Sequence, residues 1–70
     1  MYKRLPAALK KKRIELGLSQ AKFADQLMVP LGTYKSWELG LSTPDYSYRQ
    51  VMVELGSDFL KLWERDKQEF

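Results

Sequence analysis

Lys35 and Ser36, with Leu31 and Gly32 one turn earlier, are residues whose types and spacing suit contact between an exposed helix side and a partner. An ammonium group and a hydroxyl can hydrogen-bond there, and a leucine offers an apolar contact. At spacings i, i+1, i+4 and i+5 the four fall along one side of an α-helix. Val29, Tyr34 and Trp37 form an apolar set opposite them, and Phe23, Ala24 and Leu27 form another just upstream. Residues 19–40 therefore read as two short amphipathic helices joined by a tight turn, with the small Ala24 where the helices approach most closely. A helix exposed in this way can enter a major groove.

Other chemistries find little support. Cysteine and histidine are both absent, which excludes disulfides, zinc fingers, thiolate nucleophiles and triads built on an imidazole base. Carboxylates, lysines and tyrosines are the titratable groups left, and no pair of them is placed by sequence into a cleft, so neither an enzyme nor a cofactor or metal is expected. No apolar run approaches the roughly 18 residues of a membrane span, and residues 1–13 lack the apolar segment of a signal peptide, so a cytoplasmic, DNA-associated protein is expected. Charge is unevenly placed. Residues 1–35 carry eight cations against two anions, a net +6, and residues 36–70 carry four against seven, a net −3. A positive half joined to a negative one suits a protein that offers one end to a polyanion. The run Lys10, Lys11, Lys12 reads either as phosphate contact or as a solvated helix face, and its place beside a helix-turn-helix pattern favours phosphate.

Seventy residues make a single domain, 1–70, whose core leaves a margin of about 3–5 kcal/mol. The pattern predicts an all-α bundle of about five short helices. The first spans 6–16, with Pro6 in its first turn, Gly17 at its C-terminal cap and a buried stripe of Leu5, Ala8, Leu9, Arg13 and Leu16. Lys12 falls on the same stripe and must lay its methylenes along it, while Ile14 faces out. The second spans 20–27 with Ser19 as N-cap, and the third spans 31–39 and stops at Gly40. The fourth spans 46–55, capped by Asp45, with Tyr48, Val51, Met52 and Leu55 apolar at i, i+3, i+4, i+7. Gly56 ends it, and Ser57 and Asp58 start a fifth. Trp37 reads as core rather than as a platform for stacked bases, since it shares a side with Tyr34.

The run Gly17-Leu18-Ser19-Gln20, then Phe23-Ala24, Val29, Thr33, Trp37-Glu38 and Gly40, resembles the Cro/repressor class of DNA-binding domains, the XRE-like family, and residues 9–44 can be laid on its pattern without a gap. Met28 stands where that pattern has a turn glycine, Pro30 where it has a Ser or Thr cap, and Gly32 lies inside the helix that would read bases. The resemblance implies base reading by Leu31, Gly32, Lys35 and Ser36, with Lys35 alternatively reaching a phosphate. It also implies phosphate contact at the helix starts, by Gln20 with Ser19, Lys22 and Thr33. Arg13, a costly charge on an inward stripe, is expected to pair with Glu38, with phosphate contact as its other reading.

The function implied is sequence-specific binding of double-stranded DNA by a small repressor that occupies a palindromic operator as a homodimer, with half-sites about 34 Å apart. Residues 57–70 are the expected dimerisation segment through Leu60, Trp63 and Phe70, unless those apolar groups simply close the core. Antitoxin-like or controller roles would use the same scaffold. The alternative is a protein-interaction module in which Leu31, Gly32 and Leu39 contact protein, a reading favoured by the shortage of polar base-reading groups.

Overall fold

The computed structural model describes residues 2–69, with the Glu69 side chain left undescribed, so the expected contact at Phe70 lies outside the described residues. Five α-helices follow in order, with no strand among the described residues: α1 (Arg4–Glu15), α2 (Gln20–Leu27), α3 (Leu31–Leu39), α4 (Arg49–Leu55), entered through a 3₁₀ turn at Tyr46–Tyr48, and α5 (Ser57–Glu69). None is long and apolar enough to cross a membrane.

Each junction has a local cause. The Ser19 hydroxyl accepts from the Lys22 amide at 3.1 Å and starts α2. Met28 ends it in the left-handed conformation, φ 60°, with its N–H on Asp25 O at 3.0 Å and the Val29 N–H on Ala24 O at 2.9 Å. Two satisfied carbonyls offset the ~1–2 kcal/mol that a residue with a Cβ incurs there. Gly40 ends α3 at φ 77°, and the chain before α1 packs directly on it: the Tyr2 amide donates to Gly40 O at 3.1 Å, and a Cβ on Gly40 would lie 2.5 Å from Tyr2 O. Asp45 accepts from the Ser47 amide at 2.9 Å and from its hydroxyl, which opens the turn into α4.

Leu5 and Leu9 of α1, Phe23 and Ala24 of α2, Val29 of the turn after α2, Tyr34 and Trp37 of α3, Met52 of α4 and Trp63 of α5 form one buried cluster. Edge-on aromatic contacts run through it from Phe23 to Tyr34 at 5.5 Å, to Trp37 at 6.4 Å and on to Tyr48 at 4.9 Å. Trp37 is thus core, as expected.

Four expectations are corrected. Helix α1 begins at Arg4, two residues early, because Pro6 is accommodated at its third position, where the missing N–H is not needed. It ends at Glu15, and Leu16 is exposed rather than buried, because Gly17 at φ 69° turns the chain and Leu18 packs on the core instead. The first turn of the expected fourth helix is 3₁₀. Trp63, expected on a self-association face, is 1% exposed and donates its indole N–H to Pro44 O at 2.6 Å, so it fills the core. Leu60 is half-buried against the same cluster.

Asp66 was not singled out from sequence. It is 1% exposed, and its carboxylate accepts from the Leu5 amide at 2.9 Å and the Arg4 amide at 3.4 Å, with the Arg4 guanidinium at 3.8 Å. A side chain of the last helix thereby caps the first, doing across about sixty residues what an N-cap does locally. Asp66→Ala is expected to cost about 0.5–2 kcal/mol in denaturant unfolding. Asp66→Asn, which keeps one acceptor oxygen, should recover part of that loss.

Candidate nucleic-acid interface

The position of α3 is set by a polar cluster around one carboxylate. Arg13 of α1 makes a two-pronged pair with Glu38, Nε to Oε2 and Nη2 to Oε1, both at 3.0 Å. Its Nη1 donates to the Leu18 carbonyl at 3.0 Å. Gln20 of α2 donates to Glu38 Oε1 at 3.2 Å, and the Tyr34 hydroxyl donates to Oε2 at 2.5 Å. One carboxylate near the end of α3 thus gathers donors from α1, α2 and α3 itself. Burial by itself would raise the Glu38 carboxyl, but the hydrogen bonds from Arg13, then Tyr34, then Gln20 outweigh it and hold the group below its ordinary 4.5. Burial, reinforced by the bond to Glu38, pushes the Tyr34 hydroxyl up. The expected Arg13–Glu38 pair is therefore present. The additional partners were missed, although Tyr34 four residues before Glu38 on a helix was a legible signal.

Held from behind by Tyr34, Trp37 and this cluster, α3 presents Leu31, Gly32, Lys35, Ser36 and Leu39 over about 140° of arc at 100° per residue. Lys35 and Gly32 are exposed, Ser36 is half-buried, and Leu31 and Leu39 are 38% and 63% exposed. Leu39 enlarges the apolar share of this face. Gly32 does not have a positive φ, and a Cβ there would meet no atom within 4 Å, so neither backbone strain nor crowding explains the glycine. Pro30 takes the N-cap position, where the family pattern has Ser or Thr, and the helix start has no side-chain cap hydrogen bond.

The expected phosphate contacts are dispersed. Ser19, Gln20 and Lys22 lie at the start of α2, and Thr33 lies in the first turn of α3. Ser19 and Lys22 are exposed, while Gln20 and Thr33 are half-buried. Lys10, Lys11 and Lys12, being consecutive, point in three directions. Lys10 and Lys11 flank Ile14 on the outer side of α1, and Lys11 and Lys12 line a groove with Asp58, Phe59 and Leu62 of α5. They do not form one basic face.

The Arg13–Glu38 pair should show coupling: in a double-mutant cycle of Arg13→Ala and Glu38→Ala, the combined loss of stability is expected to be smaller than the sum of the single losses. Because folding lowers the Glu38 pKa, its contribution is complete above the unfolded value near 4.5 and is lost as pH falls through the lower folded value. Acid unfolding followed by circular dichroism should therefore have a shallower low-pH limb in Glu38→Gln than in the parent.

A family model described as helix-turn-helix matches residues 9–48, from within α1 to the end of the 3₁₀ turn. No curated protein and no solved structure matches the chain. The matched segment holds α2, its Met28 turn, α3 and the Arg13–Glu38 pair that fixes them, and the chain belongs to the Cro/XRE-type helix-turn-helix family of DNA-binding regulators.

Proposed function

We propose that the protein is a sequence-specific repressor that lays α3 in the major groove of a two-fold operator and acts by excluding polymerase. The observation carrying this reading is the exposed face of α3, backed by a buried aromatic row and tied through Glu38 to both preceding helices. A reading helix has to be rigid to discriminate, since a loosely held donor satisfies wrong bases as readily as right ones. Lys35 and Ser36 supply hydrogen-bonding groups for base edges, Leu31 an apolar contact for a thymine methyl, and Gly32 a place where backbone and base edge come close. The starts of α2 and α3, with Ser19, Gln20, Lys22 and Thr33, supply phosphate contacts, which helix N-termini favour through their free amides. Gln20 has a second amide hydrogen beyond the one given to Glu38, so it can serve both partners. Lys10, Lys11 and Lys12 add attraction over a broad surface rather than one contact row.

One short helix binds weakly, so two subunits on half-sites about 34 Å apart complete the proposal. With Trp63 in the core, the α5 contribution to that pairing falls to Leu60 and the end of the chain. The exposed Leu31, Leu39, Leu41 and Met28 favour a second reading, in which this end of the domain docks on a protein.

Selection of duplexes from a random pool, followed by a salt titration on the selected site, separates the readings: a palindromic consensus and a steep salt dependence support the operator, whereas negligible duplex binding supports the protein partner. Lys35→Ala is expected to cost about 1–3 kcal/mol, concentrated at one base pair. Gly32→Ala should raise stability by about 0.5–1 kcal/mol, since the added methyl meets nothing, while weakening operator binding. Greater stability with unchanged affinity, measured by a melting curve and a binding isotherm on the same variant, would remove Gly32 from the interface.

A further inference from the structure

The C-terminal end of α3 lacks its own source of positive charge. From Ser36 to Tyr48 the only charged residues are Glu38 and Asp45, and the helix adds the negative end of its dipole. Yet α3 has nine residues, about 13 Å of helix, and the major groove is about 12 Å wide, so a seated α3 brings both its ends close to a phosphate backbone. Lys22, at the start of α2, serves the N-terminal side. Unless another segment supplies a cation, the other end meets phosphate with repulsion.

The structure brings such a segment to that place. The Tyr2 amide is bonded to Gly40 O at 3.1 Å, and the fit is so close that a Cβ on Gly40 would stand 2.5 Å from Tyr2 O and 3.7 Å from Pro6 Cγ. On its other side the chain is held where Asp66 accepts from the Arg4 and Leu5 amides. Lys3 lies between these two anchorages and is exposed. Arg4 is partly committed to Asp66 at 3.8 Å. We infer that the segment before α1 is a DNA-backbone contact, with Lys3 the phosphate ligand at the C-terminal end of α3. This rests on the reading of α3 as the groove-binding helix. The contact carries no sequence information. It raises affinity for every duplex and, because the segment is pinned at both sides, does so without the ordering cost of a loose tail.

The test compares the full chain with Lys3→Gln, Lys3→Arg and, as a control on the remote α5 surface, Lys61→Gln, titrating a fluorescent duplex that carries the selected site at several salt concentrations. Lys3→Gln should lower affinity for specific and random duplexes alike and make the salt slope shallower by about 0.9 per bound subunit, about 1.8 for two subunits on the selected site, so that over a fourfold rise in salt it loses roughly 12-fold less affinity than the parent. Lys3→Arg should retain the parental slope, as should Lys61→Gln. A parental slope in Lys3→Gln, including one accompanied by a lower thermal midpoint from loss of a charge that merely offsets the α3 dipole, overturns the inference while leaving DNA binding in place. A parent that binds no duplex overturns the inference and the groove-binding reading together.

Discussion

Glu38 is the point on which the arrangement of the first three helices turns. It accepts two hydrogen bonds from Arg13, one from Gln20 and one from Tyr34, so a single carboxylate fixes α1, α2 and α3 in relation to one another. Apolar packing alone would not do this as sharply, because Phe23, Ala24, Val29 and Trp37 define a surface along which short helices can slide, whereas a two-pronged guanidinium–carboxylate pair has one geometry. The Arg13 bond to the Leu18 carbonyl extends the constraint to the turn between α1 and α2. Both Glu38 oxygens accept from two donors each, and that satisfaction is what makes a largely enclosed charge tolerable in so small a core.

A second constraint closes the molecule from the other direction. Asp66 receives the first amides of α1, and the indole of Trp63 reaches Pro44, so α5 holds both the beginning of the chain and the loop that follows α3. The Tyr2–Gly40 bond then joins those two segments directly. The helix-turn-helix is thus set between two polar fastenings, the Glu38 cluster on one side and the Asp66 cap on the other, with the aromatic row between them. A domain of this size has few apolar contacts to spare, and specific polar ties recover the rigidity that a larger core would provide.

The parts of this plan legible in sequence were those written in local patterns. Ser19, Gly40, Gly56 and Asp45 marked boundaries of α2, α3, α4 and the 3₁₀ turn because capping and left-handed turns demand particular residue types at particular positions. Arg13 and Glu38 were legible because a charge on an apolar stripe needs a partner and the family pattern places one in register. Asp66 and Trp63 were not, because a carboxylate in the polar-looking run after Trp63 gains its meaning only when α5 folds back onto α1, about sixty residues away. From sequence, Trp63 reads either as part of a self-association face or as closing the core, and the Pro44 carbonyl, which accepts from its indole N–H, goes with the second. The dispersal of Lys10, Lys11 and Lys12 follows from the 100° step of a helix, which sends three consecutive side chains in three directions.

The turn between α2 and α3 and the start of α3 depart from local optima at Met28, Pro30 and Gly32, and their consequences differ. Met28 adopts the left-handed turn at a steric cost, and its side chain stands in solvent, so nothing in the packing requires methionine there. Pro30 starts α3 without a side-chain acceptor, so that the first amides of α3 are not engaged by a cap. Gly32 weakens the next position while gaining no conformational freedom that the helix uses. A helix with so weak an N-terminal turn would fray in isolation. Here the fraying is opposed from the middle and the far end, where Tyr34 and Trp37 are buried, Glu38 is bonded to two other helices and Gly40 is locked under Tyr2. The result is a helix whose anchored portion is distinct from its presented portion. Tyr34, Trp37, Glu38 and Gly40 hold it, whereas Gly32 and Lys35 are exposed and Ser36, half-buried, contributes its carbonyl to the Leu41 amide at 3.0 Å.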